Sequence, residues 1–309
     1  MRFPLALMLL LTSVPVADAA IVFNFSYLDT TIGFNDPTLG ATRRATVNAV
    51  ASYVNSVIDE TGVVDITWNL SDNNAGLNTL ASMGTSYFLN DGFSNGLVFA
   101  HATTGIDPFA GSGDGSGKVN FGHSWNSDLG NPTGSEYDLF SVVLHELTHA
   151  MGVASLIRSD GGFAIAGTRS VYDTFLETGG GTPLLNGAGV FTAPVGSLTS
   201  GDVFLDLSAS GGGVLEVYAP TPYENGSSIS HFDTSLGPNV VMQPSIGAGV
   251  MRRTYSTQDL AVLRAIGWNV RAVPEPSGML LVGMVVALGS IRRRRYTRVK
   301  QNPTPAACR

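Results

Sequence analysis

Residues 138–155 read DLFSVVLHELTHAMGVAS, and this stretch determines how the rest of the chain is interpreted. It contains the pattern H-E-x-x-H at His145, Glu146 and His149. Two histidines four positions apart on a helix lie one turn apart, with about 6 Å between their Cβ atoms, so both imidazoles can reach one metal ion. The glutamate beside the first histidine can reach a water molecule at that ion. The stretch therefore predicts a metal-binding helix rather than a helix with two half-exposed histidines.

The residues around the pattern indicate a helix with a defined start and end. Ser135 is the predicted N-cap, and Asp138 follows in an acidic first turn, which the helix dipole favours. The apolar residues that recur at intervals of three and four are Leu139, Val142, Val143, Leu147 and Ala150. This spacing indicates one face packed on a core. Gly152 can end the helix because glycine adopts the left-handed backbone conformation without strain.

The composition is that of a globular, loop-rich protein with an acidic body. The chain has 309 residues, of which 44% are hydrophobic, 13% are charged and 37 are glycines. This length is enough to bury a sizeable core. Residues 20–272 include nine basic and 22 acidic side chains, a net charge of about −13. Nucleic acid, a polyanion, is therefore excluded as a partner.

The body of the protein contains no cysteine. The single cysteine, Cys308, lies one residue before the end of the sequence. The body can therefore form neither a disulfide nor a cysteine-ligated metal site. Any zinc ion must be bound by histidine and carboxylate side chains.

Residues 1–19 have the pattern of a secretory signal peptide. Arg2 supplies a basic start, residues 5–14 are mainly apolar, and the Ala-Asp-Ala triplet at 17–19 fits the small-residue cleavage pattern. The apolar run is shorter than a comfortable membrane span, which disfavours the alternative of a membrane anchor. The sequence thus predicts that the body is exported.

The C-terminal segment, residues 271–309, has three parts. The residues VPEPS at 273–277 precede an apolar run at 278–291, and four arginines follow at 292–295. By the positive-inside rule, the arginines would hold that end in the cytoplasm. This order resembles the PEP-CTERM sorting signal of Gram-negative bacteria. The resemblance implies a transient anchor in the inner membrane, processing by an exosortase, and release or attachment at the cell surface; a plain membrane anchor is the alternative.

The body is predicted to contain strands and helices on both sides of the metal-binding helix. Predicted strands cover residues 21–28, 63–70 and 118–122, predicted helices cover 42–58 and 256–267, and short elements lie at 77–83 and 96–100. Ser256 is the predicted cap of the last helix. Residues 155–230 are rich in glycine, serine and threonine, which indicates irregular β structure. The strand at 118–122 is expected to be a sheet edge along which an extended peptide substrate pairs.

Other histidines and carboxylates before the helix are weaker candidates for metal binding. Asp107 and Asp114 lie in the glycine-rich segment 107–117 and could ligate calcium, but a solvated loop is the preferred interpretation. His101 and His123 could be ligands, yet each stands alone in its segment. Structural roles are therefore expected for both histidines.

A catalytic zinc ion needs three protein ligands, so the helix alone is incomplete. The residues HELTHAMGVAS resemble the metzincin motif H-E-x-x-H-x-x-G-x-x-H, in which a third histidine follows a glycine. The match holds at His145, Glu146, His149 and Gly152, but the last position is Ser155. A neutral serine hydroxyl is a poor zinc ligand, so the short form of the motif is not complete in this chain.

The arrangement is similar to that of leishmanolysin-like metzincins, in which a long insertion separates the glycine from the third histidine. His231 is the only histidine after the helix, and it lies eleven residues before Met242, the candidate for that family's Met-turn. The resemblance covers residues 135–155 and 228–268. Two carboxylates remain alternative third ligands: Glu177, as in a gluzincin, and Asp233.

The resemblance implies an α+β fold with two subdomains. The N-terminal subdomain, residues 20–152, would hold a mixed sheet and the active-site helix. The C-terminal subdomain, residues 153–270, would be mostly irregular or β and would end in a helix.

The resemblance also implies a function. Zn²⁺ would be bound by His145, His149 and His231, and Glu146 would act as general base in peptide hydrolysis. Tyr255 is a candidate oxyanion donor. The implied protein is an exported zinc endopeptidase with a protein or peptide substrate. The alternatives are a non-catalytic cell-surface or matrix protein with a structural or vestigial zinc site, and a zinc hydrolase of a non-protein polymer.

Overall fold

The computed structural model describes residues 20–89 and 92–271. The predicted signal peptide and the predicted sorting motif, apolar run and basic tail lie outside the described residues. The described residues up to Val270 belong to one compact unit, and a second unit begins at Arg271. Within the described ranges, no helix has the length and apolar character needed to cross a membrane. The predicted division of the body at residues 152 and 153 stays a prediction.

Helices and strands both contribute to the described structure, which confirms the α+β class. The α-helices are α1 (Gly40–Val57), α2 (Gly96–Thr104), α3 (Leu139–Ala150) and α4 (Thr257–Ala265). The strands are β1 (Val22–Tyr27), β2 (Val63–Trp68), β3 (Ala81–Thr85), β4 (Gly92–Ser94), β5 (Gly115–Val119), β6 (Trp125–Asn126), β7 (Tyr137–Asp138), β8 (Thr168–Ser170), β9 (Leu176–Thr178), β10 (Val203–Leu207) and β11 (Gly213–Glu216).

The largest sheet has the strand order β1-β2-β5-β3. β1, β2 and β5 run parallel, whereas β3 is antiparallel to β5 and forms one edge. Side chains alternate along β2, where Val64, Ile66 and Trp68 are buried in the core. α1 and α3 pack against each other, and α3 also packs against β3. The predicted metal-binding helix therefore lies beside an edge of the sheet.

The strand predicted at 118–122 corresponds to β5, and the prediction that it forms a sheet edge is wrong. β5 begins at Gly115, inside the segment predicted as a loop, and lies between β2 and β3. Its glycines allow β3 to approach: a Cβ atom on Gly117 would lie 2.5 Å from the carbonyl oxygen of Ser82. The glycines that indicated a loop thus permit close strand packing, and the edge strand is β3.

α3 begins at a different residue from the one predicted. Ser135 is exposed and precedes the helix, whereas Asp138 is the N-cap and its carboxylate accepts a hydrogen bond from the Ser141 backbone N–H. The chain stays extended up to the cap because β7 pairs with β6. An ion pair between Asp138 and Arg253 joins the start of α3 to the segment before α4. At the other end, Gly152 has the predicted left-handed backbone, with φ of +99°.

The segment predicted as irregular β structure contributes to two small sheets. β8 pairs with β4 from the first half of the chain, and β9, β10 and β11 form an antiparallel sheet with β10 at its centre. Short 3-10 helices, including one at Tyr172–Phe175, lie between these strands. α4 then begins with the predicted cap, because Ser256 and Asp259 form a capping box.

Candidate metal centre

Three histidine side chains meet beside α3. Nε2 of His149 lies 3.1 Å from Nε2 of His145 and 3.1 Å from Nε2 of His231. Nε2 of His231 lies 3.2 Å from Nε2 of His145. The structure thus brings the three predicted ligands together in a group that could hold a metal ion. α3 supplies the first two, and the segment between β11 and α4 supplies His231.

The other ring nitrogen of each histidine, Nδ1, is hydrogen-bonded to a backbone carbonyl. The acceptors are Val241 at 2.8 Å from His145, Val153 at 2.7 Å from His149, and Ser227 at 2.7 Å from His231. A carbonyl oxygen can only accept, so the hydrogen bond assigns the proton of each ring to Nδ1. Each Nε2 therefore presents a lone pair to the other two.

Burial keeps the three imidazoles neutral. Loss of hydration lowers the pKa of His149 to about 4 and that of His231 to about 3. The pKa of His145 is also lowered well below its ordinary value, first by burial and then by the two neighbouring histidines. Near pH 7 all three rings are therefore uncharged and able to donate a lone pair.

The distances among the three nitrogens fit a tetrahedral metal ion. Three lone pairs this close repel one another unless a cation lies among them. Zn–N bonds of about 2.0–2.1 Å at tetrahedral angles correspond to N···N separations of about 3.3 Å, close to the observed spacing. A set of neutral imidazole nitrogens is also one that zinc favours. The residues present therefore fit a zinc ion.

Main-chain hydrogen bonds on both sides hold His231 in place. The carbonyl of His231 accepts from Tyr218 N–H at 2.9 Å, in the chain that continues from β11. The next residue, Phe232, donates its N–H to the Met242 carbonyl at 2.8 Å. Ser155, which occupies the third-ligand position of the short motif, donates its N–H to the Ser230 hydroxyl instead. The long segment after α3 thus returns the third histidine to the helix.

Glu146 is buried on α3 next to the first histidine, with 6% of its surface exposed. Burial raises the pKa of its carboxyl group to about 8, and a hydrogen bond from the Met83 backbone acts in the opposite direction. Met83 belongs to the edge strand β3. The carboxyl group therefore takes up a proton more readily than an exposed glutamate does, and it lies beside the sheet edge.

Neither alternative third ligand belongs to the histidine group, and Tyr255 has a hydrogen-bond partner in the core. Glu177 lies in β9 rather than in a helix and is outside the histidine group. The Asp233 carboxylate caps a 3-10 turn by accepting the Ser235 N–H at 2.8 Å. The hydroxyl of Tyr255 lies 2.8 Å from Thr148 Oγ1 in the core, where it is already hydrogen-bonded. Its oxyanion role stays a prediction.

A second group that could hold a metal ion consists of Asp65, His101 and Asp114. Asp114 was predicted to be solvated, but it is 1% exposed and accepts hydrogen bonds from His101 Nδ1 and the Asp65 N–H, both at 2.8 Å. Asp65 Oδ2 lies 3.9 Å from the same imidazole nitrogen. The sequence had no signal for this contact, because the residues lie in separate segments and meet only when β2 and β5 pair.

The two remaining candidates have local partners. Nε2 of His123 lies 2.8 Å from the Leu77 carbonyl oxygen. The Asp107 carboxylate accepts the Phe109 N–H at 2.8 Å, within its own turn. Neither side chain belongs to a metal-binding group among the described residues. The structural role expected for His123 is consistent with this placement.

Comparisons of the chain with protein-family models, with curated proteins and with solved structures find no match. What the site can do therefore follows from its own chemistry. Three neutral imidazole nitrogens face one point, and a buried carboxyl group follows the first of them on the same helix. Sequence reasoning missed the carbonyl groups that orient the rings, because every residue carries a carbonyl and none is marked by its side chain.

Proposed function

We propose that the protein is an exported zinc-dependent endopeptidase with a metzincin-like catalytic unit. The observation that carries the proposal is the convergence of three unprotonated Nε2 atoms, from His145, His149 and His231, within 3.2 Å of one another. Glu146 adds an acid–base group beside the first ligand, which a purely structural site does not need. Zinc centre and base together support hydrolysis rather than storage or scaffolding.

The three histidines would hold Zn²⁺ through Nε2. When bound, the ion supplies a Lewis acid that lowers the pKa of water toward 7 and polarises a carbonyl group. All three ligands are neutral, so they leave the charge of the ion uncompensated, which strengthens this acidity. The carbonyl acceptors at Nδ1 fix the orientation of each ring and keep Nε2 unprotonated.

Glu146 moves the proton in the proposed reaction. One oxygen of its carboxylate takes a proton from the attacking water and then gives it to the nitrogen of the leaving amine. Burial raises the pKa of this carboxyl group, which favours proton uptake, and a cation bound by the neighbouring imidazoles would lower it again. The hydrogen bond from the Met83 N–H orients the carboxylate for both steps.

The outer edge of β3 is the proposed binding site for an extended peptide. Leu80 accepts from Asn120 and Ser86 donates to Asp114, so the even-numbered residues of this segment pair with β5. The backbone groups of Ala81, Met83 and Thr85 therefore point away from β5. A substrate strand that pairs with Ala81 and Thr85 would lie next to Glu146, which accepts the N–H of Met83 between them.

The two ends of the chain support an extracellular location for this activity. We propose that residues 1–19 direct export and that residues 271–309 anchor the chain transiently in the inner membrane of a Gram-negative bacterium. An exosortase would process the second segment. The partners of the mature body are then protein or peptide substrates at the cell surface or beyond it.

Substitution of the base tests the function directly. Glu146→Ala removes the proton acceptor and no ligand, so casein hydrolysis should fall at least about 100-fold while one zinc ion per chain remains. Glu177→Ala is the matched control, because it removes a carboxylate outside the site and should leave both hydrolysis and zinc content unchanged. Zinc is measured by elemental analysis and hydrolysis by peptide release.

The same experiment separates the alternatives. One outcome is that the wild-type chain binds zinc and yet shows either no hydrolysis of casein and gelatin or hydrolysis that a chelator does not inhibit. In that case the protein is better described as a non-catalytic surface or matrix protein with a structural or vestigial zinc site. If Glu146→Ala keeps wild-type hydrolysis, the assigned base is wrong. If chelator-sensitive hydrolysis is confined to other polymers, the zinc chemistry stands and the peptide substrate does not.

A further inference from the structure

We infer that Asp259 is a positioning residue for His145 and acts through a single peptide group. Oδ1 of Asp259 accepts the Met242 N–H at 3.1 Å. The carbonyl of that same peptide group belongs to Val241 and accepts Nδ1–H of His145 at 2.8 Å. The carboxylate and the imidazole are therefore the two ends of one hydrogen-bonded chain, with a peptide group between them. The inference rests on the proposed zinc site.

The Asp259 carboxylate is fully buried and belongs to α4, far in sequence from the histidine that it would position. Its second oxygen, Oδ2, accepts the Val241 N–H at 3.0 Å, so two successive backbone N–H groups bind one carboxylate. The Ser256 N–H and hydroxyl also donate to Oδ2, at 2.8 and 2.6 Å. Asp259 thus caps its own helix and fixes the turn that carries the His145 acceptor.

A charge at one end of a hydrogen-bonded chain strengthens the bonds that follow. The carboxylate pulls on the Met242 N–H, which polarises the peptide group and makes the Val241 carbonyl a better acceptor. A better acceptor holds Nδ1–H more firmly and raises the basicity of Nε2, the atom directed at the metal site. The arrangement is thus a carboxylate–histidine pair in which one peptide group lies between the two side chains.

The other two histidines do not have this connection. The Val153 carbonyl that orients His149 is in one peptide group with Ala154 N–H, which donates to the Gly152 carbonyl at 3.0 Å. The corresponding N–H for His231 belongs to Ser228 and donates to the Glu224 backbone carbonyl at 2.9 Å. Both of these series of hydrogen bonds end on neutral groups. His145 alone of the three is coupled to a buried carboxylate through its peptide acceptor.

Two substitutions separate positioning from helix capping. Asp259→Asn keeps the size of the side chain but removes the charge and sets an amide donor against backbone N–H groups. Ser256→Ala removes the reciprocal cap of α4 and leaves Asp259 on the peptide group. Asp259→Asn should weaken zinc binding 10- to 100-fold, whereas Ser256→Ala should lower the melting temperature and leave zinc affinity within about twofold of wild type.

The measurements are zinc affinity by competition with a chromophoric chelator and the absorption bands of the Co²⁺-substituted full chain. Co²⁺ bands report ligand geometry, which loss of helix stability alone does not change, so they should shift in Asp259→Asn and not in Ser256→Ala. If Asp259→Asn fails to fold, Asp259→Glu replaces it: the longer side chain keeps the charge but displaces it from the peptide group, and zinc affinity should fall several-fold below that of Ser256→Ala.

The outcomes are distinguishable. Equal zinc affinity and equal Co²⁺ bands in the Asp259 and Ser256 variants would overturn the positioning role and leave the proposed function intact. A wild-type chain that binds neither Zn²⁺ nor Co²⁺ would overturn the proposed function itself.

Discussion

At the scale of single residues, the backbone before the third histidine is unusual. Ile229 has φ of +56°, the one positive value for a residue other than glycine in the described parts of the chain. A β-branched side chain in the left-handed region costs about 1–2 kcal/mol. Ile229 is nonetheless fully buried, and its N–H donates to the Tyr218 carbonyl at 2.8 Å. Packing therefore holds a strained residue two positions before His231.

Because of this strain, glycine and alanine at residue 229 should differ in their effect on the free energy of unfolding. Ile229→Gly should be more stable than Ile229→Ala by about 1 kcal/mol, because glycine adopts positive φ without strain. Free energies of unfolding from urea titration measure the difference. The control is the same pair at buried Val217, whose φ is not positive, where alanine should be the more stable. Equal or reversed stabilities at residue 229 would show that this backbone is not strained.

The buried carboxyl group of Asp173 should make the stability of the fold depend on pH. Burial raises the pKa of its carboxyl group to about 7, against opposing hydrogen bonds from Ser155, Leu156 and Ser170. Because the pKa is higher in the folded chain, the stability that this group contributes is complete below pH 4 and is lost as pH rises through about 7.

Asp173→Asn removes this titration, so between pH 5 and pH 8 the variant should gain stability relative to wild type, by up to about 3 kcal/mol. Urea unfolding of both chains at the two pH values measures the difference. Glu146 titrates in the same window but is common to both chains, so its contribution cancels. A parallel pH dependence in the two chains would contradict the assignment to Asp173.

At the scale of elements, the position of β3 at the sheet edge would determine where a peptide substrate pairs. Ala81→Pro removes an outward N–H and leaves the hydrogen bonds to β5 in place, which proline tolerates on an edge strand. We expect KM for a peptide substrate to rise about tenfold, the cost of one lost hydrogen bond, with little change in melting temperature. Ser82→Pro is the contrast, because its N–H faces β5 and its loss should destabilise the fold. An unchanged KM in Ala81→Pro would exclude this edge as the substrate site.

The elements that could be predicted from sequence are those with a pattern of their own. α1, α3, α4, β1 and β2 each carry a periodic apolar face or a local cap, and the structure places them close to the predicted ranges. The start of β5 and the N-cap of α3 were missed because each depends on a partner elsewhere in the chain. The glycine-rich start of β5 is a strand because it pairs with β3, and the chain before Asp138 is extended because β7 pairs with β6.

At the scale of the whole molecule, a metal ion would join two distant parts of the chain. His149 and His231 are separated by 82 residues, which include the β9–β10–β11 sheet. Bound zinc should therefore stabilise the fold, by about 4 kcal/mol when its concentration is 1,000 times the dissociation constant. Chelation should lower the melting temperature of wild type and leave that of His231→Ala nearly unchanged, as scanning calorimetry would report. A melting temperature insensitive to chelator in wild type would contradict the metal site.

The candidate site itself could be predicted only in part. The spacing of His145 and His149 on a helix is a local property, so it is visible in the sequence. The choice of His231 over Glu177 and Asp233 rested on the family resemblance, and the structure now separates them by position. The link from Asp259 could not be predicted, because it passes through a backbone group that leaves no trace in side-chain identity.

The carbonyl acceptors of the three rings differ in how far along the chain they lie from their histidines. His149 and His231 each find theirs four residues away, so a short loop is enough to orient the ring. The acceptor for His145 lies 96 residues away, at Val241. A chain that ends before this residue would prepare two ligands and leave the third ring free to rotate. Tight zinc binding at this site would therefore require a polypeptide that is synthesised and folded through residue 241.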